Sequence, residues 1–113
     1  MAIRFLFFAL PSFLFISSAA LAADGKVTIL APADGAVVST KDKVTVSYEA
    51  EWGPKGNHLH FYLDGHRVGI LRQEKGTADV SILMVGKHEL CLEIETSWHF
   101  STGVKQCISV TAQ

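Results

Sequence analysis

The chain lacks the short motifs that mark common hydrolases and metalloproteases. No G-x-S-x-G is present, and His88-Glu89 leads to Leu92 where an H-E-x-x-H zinc motif needs its second histidine. Charge is nearly balanced, with ten Lys and Arg against eleven Asp and Glu among 113 residues. The basic patch of a nucleic-acid-binding protein and the cationic amphipathic helix of a membrane-surface protein are therefore both missing. These absences argue against an enzyme, a nucleic-acid partner and a membrane-surface role.

Cysteine is scarce, since the chain has only two, Cys91 and Cys107. Their spacing is not that of a C-x-x-C redox or metal pair. In an exported protein the default role of such a pair is a disulfide. We therefore predict a Cys91–Cys107 disulfide, with a pair of thiolate metal ligands or a redox pair as the alternative.

The one long hydrophobic run lies at the start of the chain. Residues 5–16 are largely apolar, but the run contains Pro11 and is shorter than the ~20 residues of a membrane span. A small-x-small pattern ending at Ala22 follows, as signal peptidase requires. We predict a cleaved signal peptide over 1–22 and one domain over 23–113. The mature protein should be soluble, periplasmic or secreted, with no membrane insertion after cleavage.

Beyond the leader, short runs of alternating apolar residues are separated by turn signals every eight to twelve residues. No stretch has a convincing helical periodicity. This pattern is typical of an all-β antiparallel sandwich, here of about seven strands. The predicted inward-facing residues are Val27, Ile29, Val44, Val46, Tyr48, Ala50, Leu59, Phe61, Leu63, Ala78, Val80, Ile82, Leu90, Leu92, Ile94, Val104, Ile108 and Val110.

The strand that begins at His58 carries different chemistry on its two faces. Leu59 and Phe61 point to one side, while His58, His60 and Tyr62 point to the other. Two histidines at i and i+2 have Cα atoms roughly 6.6 Å apart, which allows both rings to bind one ion.

A register follows for the last hairpin if Cys91 lies opposite Cys107. Glu93 then faces Lys105, an opposite-charge cross-strand pair, and the hairpin is centred on His99. Both cysteines fall on the face that points away from the core.

Three segments in order resemble the short bacterial immunoglobulin-like domains of exported proteins. These are Val27 to Val46 with its Pro32-Ala33-Asp34-Gly35 turn, the Phe61-Tyr62-Leu63-Asp64-Gly65 hairpin, and Gly86-Lys87-His88-Glu89-Leu90. The resemblance implies an immunoglobulin-like β-sandwich, and a role as a spacer, adhesion module or binding module. It also implies that the strand carrying His58 and His60 lies beside Glu93 and Glu95, near a loop containing His99.

The sharpest functional hypothesis is a metal site on His58, His60 and His99. Neutral imidazoles suit copper, zinc or nickel, and copper and zinc are the ions we expect. Glu93 or Glu95 would act as a fourth ligand or hold a ring in one tautomer. The alternative is a set of solvated or hydrogen-bonded surface histidines without a metal. A second group, formed by His66, His88 and Met84 at the opposite end, is a weaker candidate.

Aromatic residues offer a different kind of site. Trp52, Trp98 and Phe100 would form either an exposed surface for a protein or glycan partner or a hydrophobic cover at the end of the core. The sequence thus predicts a small exported binding protein, either metal-binding or acting through these aromatic residues.

Overall fold

A computed structural model describes Ser12 and residues 24–113, and it places eight β-strands and no helix there. The predicted leader therefore lies outside the described residues, apart from Ser12. No helix in this part of the chain is long and apolar enough to cross a membrane. The strands are β1 Lys26–Ala31, β2 Ala36–Val38, β3 Val44–Glu51, β4 His58–Leu63, β5 His66–Leu71, β6 Lys75–Val80, β7 Gly86–Glu95 and β8 Ser101–Ala112.

The strands form two sheets that pack face to face. One sheet has the order β1-β3-β6 and the other β2-β8-β7-β4-β5. In the second sheet β4 pairs with β7, so that the histidine strand lies beside Glu93 and Glu95 as the immunoglobulin-like resemblance implies. The strand count exceeds the predicted seven because β2, only three residues long, pairs in parallel with the end of β8. Three residues are too few for an alternating pattern to reveal a strand.

The core lies between the sheets and follows the period of two along each strand. In β3, Val44, Val46, Tyr48 and Ala50 are buried while the residues between them are exposed or half-buried. The facing sheet contributes the inward residues of β4, β7 and β8. Burying each large aliphatic or aromatic side chain stabilises the fold by about 1.5–3 kcal/mol. The buried apolar residues that these three strands give to the core are Leu59, Phe61, Leu90, Leu92, Ile94, Ile108, Val110 and Ala112.

One predicted core position is wrong. Ile82 is 57% exposed, whereas its neighbour Leu83 is 3% exposed and joins the core cluster. Strand β6 ends at Val80, and residues 81–85 are irregular. Once the chain leaves the ladder, the alternation that places Ala78 and Val80 inward no longer applies to Ile82.

The predicted disulfide is confirmed, with Cys91 bonded to Cys107 across β7 and β8. Glu93 lies opposite Lys105, as the register requires. By the chain-entropy estimate, closing this loop stabilises the protein by roughly 3 kcal/mol. The register then shifts, so that Glu95 lies opposite Ser101, and the hairpin is not centred on His99. Between these two pairs β8 has two more residues than β7. Gly103 lies in this stretch, and its φ of 86° is in the left-handed region.

Candidate metal centre

The two histidines of β4 point away from the core and are nevertheless buried. His58 is 1% exposed and His60 is 3% exposed, although both lie on the outer face of the five-stranded sheet. The loop between β7 and β8 supplies a third ring, since His99 contacts both. This pair is therefore not freely solvated, and hydrogen-bonded rings or metal ligands are the interpretations that remain.

The three rings direct one nitrogen each towards a common point. His58 Nε2 lies 3.1 Å from His60 Nε2, and each of these atoms lies 3.1 Å from His99 Nδ1. This spacing would let one ion lie ~2.0–2.1 Å from each nitrogen, the usual zinc–imidazole distance, with angles between its bonds of about 95–102°.

Neighbouring acceptors select the ring tautomers on β4. His58 Nδ1 lies 3.2 Å from Asn57 Oδ1, and His60 Nδ1 lies 3.3 Å from both Tyr62 Oη and Glu95 Oε1. Assigned from these partners, the Nδ1–H groups donate to Asn57 and to Glu95 or Tyr62. Both Nε2 atoms consequently present lone pairs to the common point. Such contacts from outside the ligand set hold histidine ligands in place in metal proteins.

Local backbone geometry also positions His58. Gly56 lies against the preceding loop, where an added Cβ would overlap the carbonyl oxygen of Trp52 and approach Ile94 Cγ2 to 2.6 Å. The backbone N–H of Asn57 then donates to the carbonyl of Glu95 at 2.9 Å, which starts the pairing of β4 with β7. A side chain at position 56 would displace the start of the histidine strand.

The loop that carries His99 is braced by Thr96. The Thr96 hydroxyl accepts hydrogen bonds from the backbone N–H groups of Trp98 and Phe100, at 3.3 and 3.2 Å. The Thr96 N–H donates to the carbonyl of Phe100, and the His99 N–H donates to the carbonyl of Thr96. His99 itself has a φ of 61°, an uncommon conformation for a residue with a side chain. This compact turn brings His99 Nδ1 over β4.

The two glutamates of β7 do not join the nitrogens as ligands. Glu95 is 2% exposed and contacts His60 on the side of Nδ1, opposite the common point. Burial raises the pKa of Glu95 to about 7, and its hydrogen bond and charge interaction with Glu93 act in the same direction. Of the two predicted roles, the geometry fits support of the His60 ring rather than a fourth bond to an ion.

Burial and neighbouring positive charge lower the pKa of both strand histidines and so favour their neutral form. Burial lowers the pKa of His58, and the rings of His60 and His99 and the two arginines Arg72 and Arg67 lower it further. The pKa of His60 is lowered by burial, Arg67 and His99 against an opposing effect of Glu93. Neutral rings keep the lone pairs that metal binding requires.

The three predicted aromatic residues have different environments. Trp52 is half-buried and packs against the core, whereas Trp98 is 80% exposed and Phe100 is 71% exposed. Within the described residues, no ring contact joins Trp52 to the other two. The exposed pair flanks His99 on the braced loop.

The second histidine group does not form a metal site. His88 Nδ1 lies 2.6 Å from Asp64 Oδ2, and His88 Nε2 donates to the carbonyl of Met84 at 2.7 Å. Both ring nitrogens thus face acceptors, which suits an imidazolium ion and leaves no lone pair for a metal. His66 is exposed on β5 and takes no part in the group.

The His88–Asp64 pair gives a pH dependence that can be measured. The hydrogen bond to Asp64 raises the pKa of His88, and the bond to the carbonyl of Met84 adds to this. Burial would raise the pKa of Asp64, but hydrogen bonds from the N–H of Glu89 and from His88 lower it on balance. His88 therefore stabilises the fold below its unfolded pKa and loses this contribution as pH rises through its folded pKa. Asp64 stabilises the fold above its own unfolded pKa. The pair therefore contributes to the stability of the fold between about pH 4 and the raised pKa of His88.

We expect the free energy of unfolding to fall more on His88→Gln substitution at pH 5.5 than at pH 8.5. Urea denaturation with a chelator present measures this, and NMR titration of the wild-type protein should place the pKa of His88 above 6.5. Asp64→Asn is the matched control, which should return the pKa of His88 towards that value. An equal loss at both pH values would contradict the assignment.

Three further residues were not predicted from the sequence to take part in the site. Asn57 and Tyr62 contact the ligand rings, and Arg67 lines a cavity of about 480 Å³ shared with His60 and His99. For Asn57 and Tyr62, the feature of the sequence that could have indicated this role is their position on either side of the His-x-His pair. For Arg67 no feature of the sequence indicates the role, because the bulge between β4 and β5 sets its position opposite Tyr62.

Glu89, Cys91 and Cys107 also lie within ligating distance of one another. Because the two cysteines are joined as a disulfide, they offer no thiolate. The histidine group is thus the metal-binding geometry that remains in the described part of the chain.

The chain matches no protein-family model and no curated protein. Its fold is similar to the fibronectin(III)-like modules of Clostridium thermocellum CbhA, with a TM-score of 0.66 and 15% identity over 77% of this chain and 96% of that one. It is also similar to a lytic polysaccharide monooxygenase of Jonesia denitrificans, with a TM-score of 0.51 and 13% identity over 73% of this chain. The chain spans 60% of that monooxygenase chain. At these identities the likeness shows the sandwich fold alone.

Proposed function

We propose that the protein is a small exported binding protein that holds one transition-metal ion, copper or zinc, on His58, His60 and His99. The role proposed is binding rather than catalysis. The leader-like start of the sequence and the Cys91–Cys107 disulfide support a location in the periplasm or outside the cell.

One observation carries the proposal. His58 Nε2 and His60 Nε2 lie 3.1 Å apart, and with the tautomers assigned above their lone pairs face each other. In that assignment the contact between the two lone pairs is repulsive. A cation bound to all three nitrogens converts the repulsion into three favourable bonds. Imidazole ligation suits both zinc and copper, and the absence of a thiolate at the site favours Cu(II) over Cu(I).

The coordinating atoms provide a direct test. In the zinc-loaded protein, ¹⁵N NMR of the imidazole nitrogens should show His58 and His60 bound through Nε2 and His99 through Nδ1. Calorimetry on the untagged protein should give one ion per chain with sub-micromolar affinity. His66→Ala is the control, because His66 is an exposed histidine outside the group.

Two results would contradict the proposed metal site. One is binding no tighter than about 10 µM; the other is a shift of His66 or His88 on metal addition in place of the three rings. The second candidate function would then stand, that of a metal-free module binding a protein or glycan. The exposure of Trp98 and Phe100 favours that candidate, and the chelated protein would be used to search for the partner.

A further inference from the structure

A cavity of about 480 Å³ opens beside the histidine group. His60 and His99 form part of its wall, and Tyr62, Arg67 and Glu93 line the remainder together with Glu95 and Ser101. It is wide open to solvent, so a small molecule entering it would reach two of the three ligand rings.

A metal ion on this site would need a further ligand. Three nitrogens on one side leave a fourth tetrahedral position free, which structural zinc sites fill with a protein side chain. In the described part of the chain, no fourth His, Cys, Asp or Glu offers a ligand atom at the common point. The described residues thus leave the fourth position open to a water molecule or another small ligand.

The charges around this position favour an anion. Three neutral imidazoles leave the +2 charge of the ion uncompensated. Arg67 adds a positive charge on the cavity wall and forms no salt bridge with a carboxylate in the described residues. Glu93 and Glu95 also line the cavity and share a hydrogen bond. Even with both carboxylates ionised, a divalent ion and Arg67 would leave the loaded site with a net positive charge.

We infer that the metal-loaded site binds a small carboxylate anion, with one oxygen on the ion and the guanidinium of Arg67 donating to the carboxylate. This inference rests on the proposed metal site. A guanidinium presents paired N–H donors whose spacing matches the two oxygens of a carboxylate, which a point charge does not. Metal and Arg67 together would select for such ligands over neutral molecules of similar size.

Malonate is the probe for a test on the copper-loaded protein. We expect one malonate to bind per Cu(II), with a change in the Cu(II) EPR spectrum, and no measurable binding to the metal-free protein. Arg67→Gln should weaken malonate binding at least about tenfold, since a hydrogen bond between charged groups is lost, and Arg67→Lys should restore part of it. Arg72→Gln is the matched control, because Arg72 lies near His58 but lines a different cavity. Copper content after gel filtration shows whether malonate removes the ion.

The outcomes separate the two proposals. If Cu(II) binds through the three histidines but malonate leaves its spectrum unchanged, the carboxylate site is wrong and the metal site stands. Equal weakening of malonate binding by Arg67→Gln and Arg72→Gln would also overturn the carboxylate site, because the loss of any nearby positive charge would then explain the effect. Removal of copper by malonate likewise counts against a ternary complex. Failure of Cu(II) to bind at all would overturn both proposals.

Discussion

His60→Ala is expected to weaken Zn(II) and Cu(II) binding by about 10²–10³-fold. Zinc binding to four protein ligands is worth about 10–16 kcal/mol, so one ligand accounts for roughly 2.5–4 kcal/mol. His60 contacts both partner nitrogens at 3.1 Å, and its removal leaves only two donors. His58→Ala should have a similar effect, and the double variant should lose specific binding. Competition with a chromophoric chelator measures each affinity.

Graded variants distinguish loss of a ligand from loss of its support. Asn57→Ala and Glu95→Gln keep all three nitrogens and remove or weaken the groups that hold the Nδ1–H. We expect affinity losses of about 10–100-fold for each, smaller than the loss for His60→Ala. His66→Ala should leave the affinity unchanged. A reversed order, with Asn57→Ala costing more than His60→Ala, would contradict the assigned ligands.

Leu83→Ala is expected to lower the free energy of unfolding by about 2.7–5 kcal/mol, whereas Ile82→Ala should change it by no more than about 0.5 kcal/mol. The two side chains have the same number of carbons and lie next to each other in the chain. Leu83 is 3% exposed within the core cluster, while Ile82 is 57% exposed. Only the first substitution leaves a cavity.

Urea denaturation with the disulfide intact measures both values. Gel filtration and far-UV circular dichroism confirm that each variant is folded before it is compared. A large loss for Ile82→Ala with a small one for Leu83→Ala would show that residues 81–85 continue the alternation of β6. The core would then have the composition that the sequence pattern alone indicates.

The sequence predicts this fold well where the chain stays in a ladder. The alternation in β3 and the Cys91–Cys107 register both follow from side-chain parity, because a hydrogen-bonded strand keeps its period of two. Prediction fails at Ile82 and at the Glu95–Ser101 shift, where the chain leaves the ladder or gains extra residues. Parity cannot be carried across such irregularities.

The candidate site is likewise predictable from the sequence only in part. The shared face of His58 and His60 follows from parity, but their burial does not. Their cover comes from His99, about forty residues away, and depends on a turn braced by Thr96. The position of Arg67 likewise depends on the bulge between β4 and β5. Such contacts arise from loop conformations that have no periodic pattern in the sequence.

The close packing of Gly56 against Trp52 has an evolutionary consequence. A chain that builds the same centre must keep a residue without a side chain two positions before its first histidine. It must also keep the threonine that braces the loop before the third. Gly-Asn-His-x-His, followed later by Glu-x-Glu-Thr-x-x-His, is thus a compact search pattern. Distant relatives could be recognised by it even where the remainder of the sandwich has diverged.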